Sequence, residues 1–308
     1  MSEHSHAHVL LNPIAGGRKR RQHSAAVSDR LRELGITCNV TVSQHPGHLT
    51  EVASELAIRG CETIIVGGGD GTINEVINGI AGTETVLGIL PMGTANDFAT
   101  NMGIKDIDSA YRIIRQRRTK RIDLIRVNND KFFGSTACLG FDAEVASFAR
   151  RRWLSPFFMH VLGGVWKFFF YKSKMVELRF NGQKSFRDIF LVAFGNVRSY
   201  ARGMVINPGA EFDDGFLDIC VIGRMPRWSI LSLFPSVYKG THVSHKRISQ
   251  HRAAAVFAQS ADPMHLYADG DFMATTPVRL EVAPKYLEVI VGFEDESPEP
   301  EGEAVTAI

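Results

Sequence analysis

The first 125 or so residues alternate short β-branched runs with amphipathic stretches of helical period. This alternation predicts a parallel, doubly wound α/β sheet. The predicted strands are 8–11, 39–42, 63–66 and 86–90, and the predicted helices are 19–34, 48–59, 73–80 and 95–101. Because every strand is followed by a loop and a helix, the loops gather at the carboxyl edge of the sheet, where such folds bind ligands.

After about residue 122 the pattern changes to strands joined by turns, which predicts an antiparallel β-sandwich as a second domain. The predicted strands are 131–138, 174–180, 186–194, 216–222, 253–258, 278–282 and 287–291. Two helices are expected to interrupt them, at 142–152 and 157–171. We therefore predict an α/β domain over 1–125, a β-sandwich domain over 126–292 and a disordered acidic tail over 293–308.

Composition narrows the classes of protein. The 308 residues are 44% hydrophobic and 22% charged, which is typical of a globular protein with room for two domains. A net charge of +2 is too small to indicate nucleic acid as a partner. Four cysteines without a CxxC pair indicate free thiols, and no signal-like apolar segment precedes the first strand, so we expect a cytoplasmic protein. The most apolar stretch, 157–171, is shorter than the roughly 20 residues of a membrane span.

A glycine-rich turn, Gly67-Gly68-Gly69-Asp70-Gly71-Thr72, separates the third strand from its helix. Glycines permit positive φ and a close approach of backbone N–H groups to a ligand. Thr72 and Glu75 have the spacing of a capping box, which predicts a helix whose positive end attracts phosphate. The dinucleotide fingerprint GxGxxG fails because Thr72 stands where a small residue is needed. A Walker loop fails because Thr94 replaces its lysine.

Asp70 lies inside this turn, where a carboxylate beside a polyphosphate is repulsive unless a cation or a proton transfer accompanies it. Asp70 therefore predicts Mg²⁺ binding or acid–base chemistry. The end of the fourth strand repeats the arrangement, with Gly93, then Thr94 as a predicted cap and Asp97 at its capping-box position. Two helix N-termini are thus expected at one edge of the sheet.

Five motifs in order, LLNPIAGG, GGGDGTINEV, GILPMGTANDFA, DDGFLDI and DGD, make the chain resemble the diacylglycerol kinase catalytic domain family of bacterial lipid kinases, including YegS-like proteins. The resemblance extends from about residue 8 to about residue 291. It implies a first domain similar to those of NAD kinases and phosphofructokinases, which binds ATP. It also implies a β-sandwich domain that closes a lipid cleft.

The resemblance implies site residues position by position. Together with the glycine turn, it gives these nucleotide contacts: Asn12, Ser43, Gly67, Gly68, Gly69, Asp70, Gly71, Thr72, Asn74 and Thr94. It also implies a Mg²⁺ held by the Asp214 side chain and by backbone oxygens of Glu211 and Phe216, and hard oxygen ligands suit this ion.

The catalytic base implied by the family is the acidic residue after Gly270, which here is Asp271 rather than glutamate. Aspartate is one methylene shorter, so the sequence leaves open whether Asp271 or the nearby Asp269 accepts the proton of the substrate hydroxyl. Arg202 stands where relatives favour glycine, which predicts a narrower or more basic lipid entrance.

The expected protein is an ATP- and Mg²⁺-dependent lipid kinase that phosphorylates a hydroxyl of a lipid such as diacylglycerol. Arginines and aromatics over 150–170 predict peripheral membrane contact, and a solvated basic face over an aromatic core is the alternative. An NAD kinase and a non-catalytic lipid-binding regulator on a kinase scaffold remain open as other functions. The sequence leaves open the identity of the lipid and whether the chain forms a homodimer.

Overall fold

The computed structural model describes residues 6–13, 20–141, 143 and 171–292. Four parallel strands form its first part: β1 His6–Leu11, β2 Thr37–Val42, β3 Thr63–Gly68 and β4 Val86–Pro91. The helices among them are α1 Arg20–Glu33, α2 His48–Ile58, α3 Asp70–Ile80, α4 Asp97–Asn101 and α5 Ile107–Gln116. The predicted parallel α/β part is thus confirmed.

The spatial order β2–β1–β3–β4 places β1 between β2 and β3. The strand order therefore reverses at β1, and the loops after β1 and β3 flank the crevice that opens at such a reversal. All six residues of β3, Thr63–Gly68, are buried, as a central parallel strand covered by helices on both faces requires.

The second part is built mainly from antiparallel strands, which confirms the predicted class. Its strands are β5 Thr119–Val127, β6 Lys131–Phe133, β7 Thr136–Gly140, β8 Lys174–Phe180, β9 Gln183–Gly195, β10 Leu217–Gly223, β11 Ile248–Ala253, β12 Ala255–Ser260, β13 His265–Ala268, β14 Asp271–Thr275 and β15 Val278–Ile290. A helix, α6 Arg227–Tyr238, and a 3-10 helix, Thr241–Ser244, follow β10.

One long strand, β15, joins the two parts into a continuous sheet. Its beginning pairs with β12, and its two parts 280–283 and 287–290 pair antiparallel with β5. Near its end, Glu288 pairs with Val86 of the parallel sheet. The predicted strands 278–282 and 287–291 are therefore one strand, irregular between Ala283 and Leu287. The predicted domain border between residues 125 and 126 falls within β5.

Other expectations need correction or lie outside the described residues. The predicted strand 131–138 is two strands, β6 and β7. The helices predicted at 142–152 and 157–171 and the acidic tail 293–308 fall almost wholly outside the described residues. No helix in the described part of the chain combines the length and apolarity of a membrane span.

A buried carboxylate, Asp123 in β5, connects three segments. Its Oδ1 accepts the N–H of Lys285 and its Oδ2 accepts the N–H of Gly215, both at 2.7 Å. Asn196, also fully buried, donates from Nδ2 to the carbonyls of Asp123 (2.8 Å) and Gly134 (3.0 Å). Because the carboxylate of Asp123 is fully buried and needs donors, these hydrogen bonds fix the β15 irregularity and the 211–216 loop on β5.

Replacing Asp123 with alanine leaves the N–H groups of Gly215 and Lys285 without their acceptors. We expect the Asp123→Ala variant to lose about 2–6 kcal/mol of unfolding free energy, at roughly 1–3 kcal/mol for each orphaned group. Denaturant unfolding followed by circular dichroism measures the loss. Asp130→Ala, at an exposed position, is the control, and equal stability of the two variants would contradict the role of Asp123.

Candidate active site

The β3–α3 and β4–α4 loops touch at their backbones. A Cβ added to Gly93 would lie 2.4 Å from the Gly69 Cα, a distance at which no side chain fits. The N–H of Met92 also donates to the carbonyl of Gly68 at 2.9 Å. The two loops therefore form one wall of the crevice, and this close contact requires glycine at position 93.

The glycines of the turn provide room rather than unusual torsions. Gly67, Gly68, Gly69 and Gly71 all lie outside the positive-φ region, so the expectation of left-handed conformations there was wrong. A Cβ at Gly67 would meet Leu11 Cδ2 at 2.4 Å, and one at Gly68 would lie 2.4 Å from the Thr72 Cβ. The physical reason for these glycines is close packing of the turn.

Asn12, just after β1, is tied to this turn. Its N–H donates to the Gly67 carbonyl at 3.0 Å, and its Nδ2 donates to Thr72 Oγ1 at 2.8 Å. Ser43 follows β2 at the same edge, where its N–H donates to the Leu11 carbonyl at 2.8 Å. The structure thus brings Asn12 and Thr72 into contact, with Ser43 one strand away.

The predicted caps of both helices are wrong. Helix α3 begins at Asp70 with Gly69 as its N-cap, and α4 begins at Asp97 with Asn96 as its N-cap, in each case without a side-chain cap. Thr72 is instead buried in the first turn of α3, where its hydroxyl accepts from Asn12. The Thr-x-x-Glu pattern was misleading because the glycines let the helix start earlier.

Asp70 bridges the two loops. Its Oδ1 accepts the N–H of Phe98 in α4 at 3.0 Å. Burial raises the pKa of Asp70, and the N–H groups of Phe98, Asn96 and Asp97 oppose that rise. The carboxylate therefore holds the start of α4 against the start of α3.

Asp97 and Thr94 connect the same wall to the second part of the chain. Asp97 Oδ1 accepts the N–H of Arg202 at 2.8 Å. The Arg202 guanidinium donates back to the carbonyl of Thr94 from Nε (3.2 Å) and Nη2 (3.0 Å). Burial raises the pKa of Asp97, the Arg202 N–H opposes the rise, and the charge of Asp70 adds to it. Arg202 thus lies at the mouth of the crevice, bound to the predicted nucleotide loop.

The turn between β13 and β14 places two carboxylates opposite the glycine turn. Asp269, with φ of 51°, accepts the N–H groups of Gly134 (3.2 Å) and Thr136 (3.4 Å). Asp271 Oδ2 lies 3.0 Å from the position that a Cβ on Gly71 would occupy. The carboxylate of Asp271 therefore rests against the first turn of α3, while Asp269 is bound to the β7 backbone.

Burial raises the pKa of Asp269 to about 7, and the charge of Asp70 adds to the rise, while hydrogen bonds from Gly134, Ser135 and Thr136 oppose it. Asp70 thus disfavours a negative charge on both Asp97 and Asp269. A carboxylate that raises the pKa of two neighbouring carboxyl groups creates an environment that a divalent cation or a proton would relieve.

Asn74 differs from the other predicted contacts. It is buried in the second turn of α3, and its Oδ1 accepts from Asn78 Nδ2 at 3.1 Å. Asn78 in turn donates from the same nitrogen to the carbonyl of Phe132 at 2.9 Å. The structure therefore places the Asn74 side chain in a polar contact that links α3 to β6.

The predicted Mg²⁺ loop, Glu211 to Phe216, lies beside Asp123 rather than at the glycine turn. Asp214 Oδ1 accepts the N–H of Phe216 at 2.9 Å, and its Oδ2 pairs with Arg252. In the described residues, no group of three or more histidine, cysteine, aspartate or glutamate side chains is arranged as a metal site.

Oxygen-rich surroundings still fit a hard cation at this loop. Burial raises the pKa of Asp218 to about 6; Arg252 opposes the rise, and Asp214 and Glu211 add to it. Arg252 thus partly offsets an excess of negative charge, and a cation at Asp214 would have to displace it. The metal role of Glu211, Asp214 and Phe216 stays a prediction.

Sequence reasoning missed the residues that hold the site together, Asp123, Asn196 and Arg252. Asp123 had one available signal, because it is a charged residue inside the apolar run Ile122 to Ile125. Asn196 and Arg252 carry no local signal, since their partners lie 62 to 73 and 38 residues away along the chain.

Comparison with known proteins agrees with this geometry. Residues 6–127 match the diacylglycerol kinase catalytic domain, and residues 135–291 match the YegS C-terminal NAD kinase beta sandwich-like domain. A diacylglycerol kinase of Mycobacterium tuberculosis is 32% identical over 92% of this chain and 94% of its own length. A probable lipid kinase YegS-like protein of Yersinia enterocolitica is 28% identical over 92% of this chain and 96% of its own length.

Solved structures share the fold. A diacylglycerol kinase from Bacillus anthracis superposes with a TM-score of 0.72 at 20% identity, covering 95% of this chain and 98% of its own. A further crystal structure from that organism reaches a TM-score of 0.79 at 22% identity, with 95% and 99% covered. Family models match both parts of the chain, and a diacylglycerol kinase is 32% identical over nearly its whole length. The chain therefore belongs to the diacylglycerol kinase and YegS-like lipid kinase family, and it is a kinase.

Proposed function

We propose that the protein transfers the γ-phosphoryl group of ATP, with Mg²⁺, to a hydroxyl of a lipid such as diacylglycerol. The observation that carries the proposal is the position of Asp271, whose carboxylate lies against Gly71 in the first turn of α3. A general base at this position would lie next to the glycine turn, whose backbone N–H groups are proposed to bind the phosphate. Phosphoryl transfer needs little more than such positioning and neutralisation of charge.

The nucleotide side of the proposal rests on the wall formed by Gly69 and Gly93. The helix α3 begins at this wall, so its positive end favours phosphate there. Asn12 and Thr72, hydrogen-bonded to each other, orient the turn, and Asp70 fixes the neighbouring loop. Thr94 and Ser43 complete the proposed set of contacts at the same edge.

Mg²⁺ would enter with the nucleotide close to Asp70, whose charge raises the pKa of Asp97 and of Asp269 and so favours a cation beside it. When bound with the nucleotide, the ion supplies neutralisation of phosphate charge. The residues themselves keep the crevice negative and fix its two loops.

The lipid side draws on the relatives' names. The Mycobacterium tuberculosis protein at 32% identity is a diacylglycerol kinase, which supports diacylglycerol as the acceptor. The relatives reported above are lipid kinases rather than NAD kinases, so the NAD kinase alternative has no support from them. Product analysis by mass spectrometry, after incubation with ATP, Mg²⁺ and either diacylglycerol or NAD, tests the assignment.

The proposed base predicts a steep loss of activity in the Asp271→Asn variant. We expect kcat to fall by roughly 10²- to 10⁴-fold, because general base catalysis contributes that much. Asp271→Glu, which restores the longer side chain implied by the family, should retain most of the turnover. If Asp271→Asn keeps full activity while Asp269→Asn loses it, the general base is Asp269 instead. Asp262→Asn, a substitution at an exposed site, is the control.

The contact of the two loops predicts that Gly93→Ala impairs the enzyme. The added Cβ would force Gly69 away, and a displacement of about 1 Å costs about 100-fold in kcat/KM. Gly209→Ala is the matched control, since a Cβ there meets nothing within 4 Å. Thermal unfolding of both variants separates loss of fold from loss of activity. Unchanged kcat/KM in folded Gly93→Ala would contradict the role of this wall.

Asp269 predicts a pH dependence of stability. Its pKa is raised on folding to about 7 from 3.8, so the folded state binds the extra proton and is destabilised as pH rises through that window. The wild type should therefore lose unfolding free energy between about pH 4 and pH 7 relative to Asp269→Asn. A stability difference between the two proteins that stays constant over this range would refute the buried, protonated carboxylate.

A further inference from the structure

A cavity of about 420 Å³ lies at the edge of the sandwich, where β9, β10 and β11 meet, away from the glycine turn. Four cationic side chains line it, those of Arg187, Arg224, Lys246 and Arg247, against one carboxylate, Asp188. Among the described residues, the one ion pair inside the cavity is loose, with Arg224 Nη1 3.5 Å from Asp188 Oδ2. The cavity therefore carries an excess of positive charge that an anion would offset.

The basic residues are held in place by the backbone around them. Arg247 Nη1 donates to the Arg224 carbonyl at 2.8 Å, and the Gly223 N–H donates to the Arg247 carbonyl at 2.9 Å. The Arg187 side chain reaches Ser249 Oγ at 3.5 Å. The segment after β10 and the segment before β11 thus keep their charges on one rim of the cavity.

Helix α6 begins three residues after Arg224 and leaves an apolar face exposed. Trp228 is 78% exposed, Leu231 55%, Phe234 53% and Tyr238 46%. At 100° per residue these four positions fall within about 120° of the helix surface. They are four of the ten large hydrophobic side chains exposed among the described residues, so exposed apolar area is concentrated on this helix.

The opposite face of α6 already packs on the sandwich, so the exposed apolar residues are not core residues of this chain. Ile230, Leu233 and Val237 pack against the buried cluster that contains Ile222 and Met225. The helix is therefore already anchored to the sandwich by its inner face. The outer face is additional apolar surface, and contiguous surface of this kind marks an interaction site.

Cavity and helix face are neighbours along the chain. Trp228 is four positions after Arg224, which limits the distance between their Cα atoms to about 14 Å. Apolar and aromatic side chains beside a cluster of arginines and lysines are the combination that binds anionic bilayers. A second copy of this chain suits the surface less, because a two-fold contact would bring two basic cavities together.

We propose that the basic cavity and the outer face of α6 form one docking surface for an anionic lipid bilayer, with the cavity taking a lipid phosphate group. This surface extends the proposed function, because a lipid kinase must reach an acceptor that resides in a membrane. It is distinct from the 150–170 stretch on which the sequence placed membrane contact. Docking itself needs neither ATP nor turnover, so it is measurable independently of catalysis.

The test is flotation of the full chain with phosphatidylcholine vesicles, with and without phosphatidylglycerol, in the absence of nucleotide. We expect wild type to bind the anionic vesicles, and added salt to weaken the binding. Lys246→Glu should lower the binding by about tenfold, since each basic residue near an anionic surface contributes severalfold. Lys105→Glu, an equal charge change at an exposed site in the first part of the chain, should not.

The apolar contribution has its own pair of variants. Trp228→Ser combined with Leu231→Ser should lower vesicle binding by about tenfold or more, because both side chains would leave the bilayer interface. Ile58→Ser, at a residue 83% exposed on α2, should bind as wild type does. Since all these side chains are exposed, thermal unfolding should be unchanged throughout.

Two results would contradict the proposed docking surface. One is unchanged flotation of both the Lys246 and the α6 variants. The other is an α6 variant that still binds vesicles but no longer forms a concentration-dependent dimer, or a complex with an acidic protein, that the wild type forms. Turnover of a dispersed short-chain diacylglycerol separates this inference from the proposed function: docking variants should keep it, whereas its absence in wild type would count against the kinase assignment alone.

Discussion

The contact between Gly69 and Gly93 is the constraint on which the site depends. Their backbones approach so closely that a Cβ at Gly93 would lie 2.4 Å from the Gly69 Cα and a Cβ at Gly69 would lie 3.1 Å from the Gly93 Cα, and this approach turns two separate strand-to-helix loops into one wall. Asp70 then closes the wall by accepting the N–H of Phe98. The β13–β14 hairpin places Asp271 against Gly71, in the first turn of the helix that starts at this wall.

Negative charge is the second organising feature. Asp70, Asp97 and Asp269 are partly buried in one crevice, and this burial raises the pKa of each. Such an arrangement costs stability in the free protein. It would favour the binding of a polyphosphate together with its cation, because the cation offsets the repulsion among the carboxylates. A second hydrogen-bonded path, through Asp123 and Asn196, ties the β7 backbone that binds Asp269 to the 211–216 loop. The two acidic regions are thus parts of one framework.

Much of this could be predicted from the sequence, because the determining signals are local. The β-branched run before Gly67 marks β3, and five ordered motifs identify the family. The caps could not be predicted: Thr72 has the right spacing to Glu75, but glycines allowed α3 to begin at Asp70. The strand β15 was divided in two because its irregularity near Lys285 depends on Asp123, 162 residues away. Contacts of that range leave no pattern in a local window.

The most direct measurement is a crystal structure of the protein with a non-hydrolysable ATP analogue, Mg²⁺ and a short-chain diacylglycerol. The account predicts the γ-phosphate against the N–H groups of the first turn of α3, with the acceptor hydroxyl within hydrogen-bond distance of Asp271. A nucleotide bound elsewhere, or a hydroxyl beyond the reach of both Asp271 and Asp269, would contradict it.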